Sequence, residues 1–460
     1  MQISKLSWIM RSLIFFVLVT YATAAYSARL PMSKFGNHWV QTHKFQIITY
    51  CTSGSFVANA QTELHKLGNL SISGYYSLDP GRLTYTIPAG MNSQFCLCVT
   101  PADVNGSTIG QELLRRIGSL GKDYSDGWYL TDEPKETDFH ALAVVTDLLK
   151  TATPNALIYN NISYSDISPE FLNTYLDTVK PDMLMTDTYP YFKSSTPERY
   201  PENPEWFNIA MTTRKFSLVH GIPYFTWLEA MQGVDGTPAQ AAMVPYHFRL
   251  PSESEMRTEV FTVLAMGFKG LSWFGYDNSD DNCREWLVDP ITRKPNKTYY
   301  WVQSINAEVK NLGVYLRFLN SIDVRFVPNK GNPTPKGLSN WTRRAGGDKY
   351  ISSIIPASPA HTNRDILIGF FKDQKGRRYF MLQNLYRSTD MSASSGYSTI
   401  LVNFKNARLP VKNTIYRLDR ITGKCVTVHL TKELNLKDTL PGGTADLYSY
   451  TPFDLSILQN

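Results

Sequence analysis

The sequence predicts an α/β fold, a (β/α)8 barrel followed by a small all-β sandwich domain, and three observations carry that prediction. Eight short apolar runs rich in β-branched and aromatic residues recur between Phe45 and Asn278, and sequence with helical periodicity separates them, which is the pattern of successive βα units. Eight is also the number of parallel strands at which such a sheet closes on itself. From Asp365 onward the hydrophobic period drops to two and turn-forming residues punctuate short strands, as in an antiparallel sandwich.

The eight runs are FQIITYCTSG (Phe45 to Gly54), LSISGYYS (Leu70 to Ser77), QFCLCVTPA (Gln94 to Ala102), DGWYLTDEP (Asp126 to Pro134), ALIYNNIS (Ala156 to Ser163), PDMLMTDTYPY (Pro181 to Tyr191), IPYFTWLEAM (Ile222 to Met231) and FKGLSWFGYDN (Phe268 to Asn278). The connection between the second and third is the least helical. Phe139, Leu142, Ala143, Val145, Leu148 and Leu149 fall along one face of a helix that Pro154 ends. Met256, Val260, Val263 and Leu264 keep helical spacing behind Ser252, which stands where a cap is needed. Trp301, Ile305, Val309, Leu312, Leu316 and Leu319 mark a long amphipathic helix, Tyr299 to Asn320, expected to cover the barrel as its last outer helix. Val327 to Gly347 has no sustained period and reads as loop. The strands expected after it are DILIGFF, RRYFMLQNL, STILVNF, TIYRLDR, CVTVHL and ADLYSY. This puts the barrel at 28–320 and the sandwich at 321–460, the latter expected to act as a wing packed on the barrel because no planar row of aromatic residues marks a binding face.

The length of 460 residues suits two domains. The net charge of +6 is spread along the chain without a basic tail or an acidic block, which argues against nucleic acid as a partner. Residues 1–27 read as a signal peptide. Lys5 and Arg11 supply positive charge, Ser12 to Tyr21 is apolar, and Ala22, Ala24, Ala25, Ser27 and Ala28 offer a cleavage site. The apolar run is shorter than the ~20 residues of a spanning helix, so a secreted protein with no membrane attachment after cleavage is expected. Asn69, Asn105, Asn161, Asn296 and Asn340 each begin an acceptor triplet for N-glycosylation. The five cysteines, Cys51, Cys96, Cys98, Cys283 and Cys425, cannot all pair with one another and match no zinc spacing. Cys96 and Cys98 share one face of their run, so at most one of them is placed to meet Cys51 on a neighbouring strand. The histidines form no metal-binding pair and no phosphate-binding glycine loop occurs, so neither a metal nor another cofactor is expected.

In a barrel of this kind the residues that end the strands share one mouth. Asp132 and Glu133 end the fourth run, Asn160 and Asn161 the fifth, Asp187 and Tyr189 the sixth, Trp227 and Glu229 the seventh, and Trp273, Tyr276 and Asp277 the eighth. Cleavage of a glycosidic bond needs two carboxyl groups flanking it, one to protonate the leaving oxygen and one to attack or to activate water. Glu133 and Glu229 are the natural pair, and the reading requires both to face one sugar-sized hollow. An aromatic fraction of 13% fits the same partner, since the apolar faces of sugar rings stack on aromatic rings. Structural roles compete at each position: Glu133 before Pro134 also suits the acidic first turn of a helix, and Glu229 also suits an ion pair in the scaffold.

On WYLTDEP and FTWLEAM the chain resembles the clan A glycoside hydrolases, retaining (β/α)8 glycosidases. So do MRTEVFTVLAMGFKGLSWFGYDN (Met256 to Asn278) and WLVDPITRKPNKTYYWVQSINAEVKNLG (Trp286 to Gly313). The resemblance implies an acid/base role for Glu133 and a nucleophilic role for Glu229. It also implies a tyrosine supporting the nucleophile at Tyr189 and an aromatic platform under the sugar at Trp273. One position departs from the clan, which usually carries Asn before its acid/base glutamate, where this chain has Asp132. A neighbouring charge there raises the proton affinity of Glu133, which suits a general acid. The alternative is a carbohydrate-binding protein that keeps the scaffold without turnover.

Overall fold

The computed structural model describes residues 32–50, 59–77, 91–120, 126–192, 203–233, 248–277, 283–329, 331–357, 364–404 and 409–457. The expected signal peptide, Cys51, Asn278 and most of the connection between the second and third runs lie outside the described residues.

Each of the eight apolar runs forms one strand: β1 (Gln46–Tyr50), β2 (Gly74–Ser77), β3 (Asn92–Cys96), β4 (Gly127–Asp132), β5 (Leu157–Ile162), β6 (Leu184–Thr186), β7 (Tyr224–Glu229) and β8 (Gly270–Phe274). All neighbours are parallel, and β8 pairs with β1 to close the barrel. Among the described residues the helices are α1 (Met32–Thr42), α2 (Ala60–Asn69), α3 (Gln111–Leu120), α4 (Phe139–Ala152), α5 (Pro169–Val179), α6 (Trp206–His220), α7 (Glu253–Met266) and α8 (Lys297–Leu316). The capping expected at Ser252 is present in both directions. Its hydroxyl accepts from the Glu255 N–H at 3.3 Å, its own N–H donates to Glu255 Oε2 at 2.8 Å, and Gly267 ends α7 in the left-handed region.

Strand alternation sorts the side chains. Ile48, Tyr129, Tyr159, Met185, Phe225 and Trp227 fill the barrel interior, while Trp128, Leu130, Ile158, Tyr224, Leu228 and Leu271 face the helices. The end at which the strands begin is plugged by α1, whose Phe35, Trp39 and Val40 join the interior cluster. Gly36 permits this contact, because a Cβ there would stand 2.0 Å from the Asp182 carbonyl oxygen. With the interior filled by side chains, only the end where the strands finish is left for chemistry.

The helix expected over Tyr299 to Asn320 ends at Leu316, and the chain turns into β9 (Asn320–Val327), which the sequence reading passed over. It is followed by β10 (Ser353–Pro356), β11 (Ile366–Lys372), β12 (Arg378–Asn384), β13 (Ser398–Asn403), β14 (Thr414–Leu418), β15 (Cys425–His429), β16 (Asn435–Leu440) and β17 (Ala445–Ser449). They form a six-stranded antiparallel sheet in the order β9-β11-β12-β17-β14-β15, and a three-stranded one in the order β10-β13-β16. Ile354, Ile400, Val402 and Leu436 of the small sheet pack on Ile368, Phe370, Phe380 and Leu382 of the large one. The opposite face of the large sheet, with Leu367, Phe371, Tyr379, Met381 and Leu447, shares a core with α7 and α8 of the barrel. The approach is close enough that a Cβ on Gly369 would lie 1.9 Å from the Ala265 carbonyl oxygen.

Candidate active site

Strand β4 loses its regular register with β5 between Tyr129 and Asp132, and the chain leaves the sheet at Glu133 with φ of 42°. That conformation costs a non-glycine residue about 1–3 kcal/mol and is characteristic of functional sites. It is held by the barrel itself, since the Glu133 N–H donates to the Asn161 carbonyl at 3.0 Å. Both Asp132 and Glu133 reach solvent. Tyr129 Oη and Asn161 Nδ2 both donate to Asp132 Oδ1, the latter at 3.1 Å. Burial of its inner part and the Asp132 charge raise the proton affinity of Glu133, outweighing a hydrogen bond with Ser163 and the pull of Lys135. That cation is itself tied to Asp166 at 2.7 Å.

Asp187, just past β6, completes an acidic group. Its carboxyl hydrogen-bonds to Asn161, and its proton affinity is pushed far up by burial and then by Glu133 and Asp132. Asp187 Oδ1 and Asn161 Oδ1 are both closed from solvent and have no hydrogen-bond partner among the described residues. Asn161, 2% exposed, is one of the two asparagines that end the fifth run, and it is this one, rather than Asn160, that joins the acidic group. The signal was present in the alternation: Tyr159 faces the interior, so Asn161 does, and Asn160 faces away.

Glu229 ends β7 on the interior side, in phase with Phe225 and Trp227. Its surroundings depart from expectation, because it is 0% exposed. Glu229 Oε2 accepts from the Tyr191 N–H at 3.1 Å, Oε1 has no partner among the described residues, and its N–H donates to Glu259 Oε1 at 2.9 Å. Burial, then the Glu259 charge, push its proton affinity far up against the pull of the Tyr191 N–H and Arg249. Arg249 is committed elsewhere, in a two-point ion pair with Glu255. In this structure, then, one carboxyl of the expected pair is open and the other enclosed, where two facing an open hollow were required.

Tyr189 is half-buried beside Phe248 and Phe274, with ring centroids at 5.3 and 5.7 Å. Trp227 stands edge-on to Phe274 at 6.2 Å. Four other expected contacts are corrected. Trp273 lies on the outer side of β8, 0% exposed, and its indole N–H donates to Asn306 Oδ1 of α8 at 2.9 Å. The half-buried aromatic beside Tyr189 and Trp227 is Phe274, one residue on. Asn160 is pinned against α5, donating to the Thr131 carbonyl at 3.1 Å and accepting from Tyr175 Oη at 3.0 Å. Tyr276 donates to Glu63 Oε2 of α2 at 2.6 Å, and Asp277 pairs with Arg293, which also reaches Glu63 at 2.7 Å. For Trp273 and Asn160 the cause is strand parity, which polarity does not reveal, whereas Tyr276 and Asp277 lie past the end of β8, where the chain has left the sheet.

Two further readings bear on the surface. Asn69, Asn105 and Asn340 are exposed and Asn296 is half-buried, whereas Asn161 is enclosed with its amide in use and is no acceptor in the folded chain. Cys98, beside Asp132, has its Sγ 3.1 Å from that of Cys96, and this contact lowers its pKa to about 7.

No family model matches the sequence, and no curated protein matches it. Among solved structures the chain is similar to an Amycolatopsis mediterranei endo-β-1,3-glucanase of glycoside hydrolase family 128 in complex with laminaritriose. That likeness has 14% identity over 57% of this chain and 99% of the other, with a TM-score of 0.38. A Rhizomucor miehei mannosidase of glycoside hydrolase family 5 gives 10% identity over 63% and 99%, with a TM-score of 0.43. A Ruminococcus gnavus β-glucuronidase gives 12% over 57% of this chain and 50% of its own length, with a TM-score of 0.39. All three are glycoside hydrolases.

Proposed function

We propose that the protein is a secreted glycoside hydrolase that cleaves O-glycosidic bonds of an oligo- or polysaccharide with two carboxyl groups. The observation that carries the reading is Glu133: a solvent-reaching carboxyl at the end of the fourth strand, held in a left-handed backbone, with its proton affinity raised. Those are the properties of a general acid. In this reading Glu133 protonates the departing glycosidic oxygen, Glu229, enclosed and holding its proton in this structure, has to be uncovered and ionised before it attacks the anomeric carbon, and water activated by Glu133 then releases the sugar with retained configuration. Asp132, Asp187, Tyr189, Trp227 and the newly placed Asn161 and Phe274 line the sugar.

The enclosure of Glu229 favours a second reading, a carbohydrate-binding barrel without turnover, because attack requires an ionised carboxylate in contact with substrate. The deciding experiment is a screen of the purified protein on aryl glycosides and on β-glucan, mannan and amino-sugar oligomers, repeated with Glu133→Gln and Glu229→Gln. Hydrolysis abolished by both substitutions, with a glycosyl adduct on Glu229 after treatment with a 2-deoxy-2-fluoro glycoside, supports the first reading. Binding with no hydrolysis by the wild-type protein supports the second.

A further inference from the structure

Two cysteine sulfurs meet at the rim of the barrel. Strand β3 ends at Cys96, whose side chain belongs to the interior cluster, and Cys98 follows two residues on. In a continuing strand two such side chains share a face but stand about 6–7 Å apart along it. Here the chain turns instead: Cys98 has φ of 48°, and its N–H donates to Cys96 Sγ at 3.3 Å. The turn is held on both sides, because the Leu97 N–H donates to the Tyr129 carbonyl at 2.9 Å and the Val99 N–H to the Leu130 carbonyl at 2.8 Å, while Arg116 donates to the Leu97 carbonyl. The outcome is a pair of Sγ atoms 3.1 Å apart, one hydrogen-bonded to the other. Exposure divides the pair, since Cys96 is buried and Cys98 is exposed.

That division suits thiol–disulfide exchange, which needs an accessible thiolate to attack and a second sulfur within reach to resolve the product. The contact with Cys96 and the Arg116 charge outweigh burial and the charges of Asp132 and Asp103, and lower the Cys98 pKa to about 7. We propose that Cys96 and Cys98 form a reversible dithiol–disulfide site at the rim of the barrel, modified by small disulfides, with Cys98 attacking and Cys96 resolving. In the first step the Cys98 thiolate attacks one sulfur of a small disulfide such as oxidised glutathione, forms a mixed disulfide with it and expels the other half as a thiolate. In the second, Cys96 loses its proton, attacks the Cys98 sulfur, closes the Cys96–Cys98 disulfide and expels the remaining half. Two electrons pass from the pair to the small disulfide, and the protons that the two cysteines lose balance those taken up by the two released thiols. The site works in this way whatever the mouth binds.

The test uses the whole protein carrying Cys425→Ser, which removes another exposed thiol. No lysine or arginine separates Cys96 from Cys98, so one tryptic peptide, Leu83 to Arg115, carries both, and any N-glycan at Asn105 is removed before mapping. After equilibration in glutathione buffers of rising oxidised fraction and an acid quench, that peptide resists alkylation and is lighter by two hydrogens, and reduction restores both alkylation sites. In Cys96→Ala the reaction stops at a glutathione adduct on Cys98. In Cys98→Ser an adduct on the buried Cys96 forms about tenfold or more slowly. The rate at which Cys98 reacts with an aromatic disulfide inflects near pH 7, and in Cys96→Ala the inflection moves up toward the ordinary thiol value of about 8.5, a shift that a merely packing role for Cys96 does not produce. Mapping of the pair with both cysteines present decides by itself if Cys96→Ala does not fold. The proposal is overturned by a pair that stays reduced in fully oxidised glutathione, by a Cys98 adduct that persists while Cys96 is present, or by Cys96 already joined to Cys51 in the protein as purified.

Discussion

Glu229 and Glu259 meet at the end of the seventh barrel strand, the peptide N–H of Glu229 donating to Glu259 Oε1 at 2.9 Å, with both carboxyls closed from solvent. Glu259 comes from α7, so the helix that follows the strand returns an acidic side chain to the strand's own last peptide. Burial, partly offset by that N–H, raises the proton affinity of Glu259 too.

This contact makes stability pH-dependent in a definite direction. Both groups bind protons more tightly folded than unfolded, so their contribution is fully present below the unfolded carboxyl value of about 4.3. It declines as pH rises toward the folded values, by up to ~1.4 kcal/mol per pH unit for each group. Glu259→Gln keeps the acceptor oxygen and removes the titration. Thermal midpoints between pH 4 and pH 8 should then fall less steeply than those of the wild type, and an unchanged slope would show that the pair does not titrate on folding.

After burial, Asp132 does more than any other charge to raise the proton affinity of Glu133. A general acid works only while protonated, so removing that charge lowers the pH at which Glu133 loses its proton. In Asp132→Asn the alkaline limb of kcat/KM moves toward lower pH, while Glu133→Gln lowers kcat about 10²–10⁴-fold across the profile. A profile whose alkaline limb stays in place in Asp132→Asn would detach Asp132 from Glu133.

Trp273 and Phe274 are neighbours with opposite tasks. Trp273→Phe loses the bond to Asn306 in a dry interface, a loss of about 1–3 kcal/mol in chemical denaturation with sugar affinity unchanged. Phe274→Ala weakens sugar binding, measured by affinity electrophoresis. Reversed outcomes would return Trp273 to the sugar site.

Gly36→Ala pushes a methyl group into the Asp182 carbonyl and loosens the plug formed by α1. Overpacking of this kind costs about 1–3 kcal/mol or more. A midpoint in urea equal to that of the wild type would mean that α1 is not anchored there.

The strands were legible because eight apolar runs recur with β-branched and aromatic residues, and each forms one barrel strand. In the sandwich β16 was missed because Asp438 takes an interior position, its carboxyl accepting from Tyr448 Oη, which breaks the apolar alternation that signals a strand. Strand β9 was missed because its polar residues Asp323 and Arg325 pair with each other on the less buried face. At the site Asp132, Glu133 and Asp187 were recognisable as acidic residues ending apolar runs, while Asn160, Trp273, Tyr276 and Asp277 passed the same test and turned outward.

By itself the sequence determined the order of helices and strands and the ends at which polar residues accumulate, because hydrophobic periodicity and turn residues act locally along the chain. Only the closed barrel decided which of those polar residues meet. The bulge in β4 and the left-handed turn at Glu133 set the direction of the acidic group, and the packing of α7 enclosed Glu229. Such choices depend on contacts between residues far apart in the chain, and no local pattern encodes them.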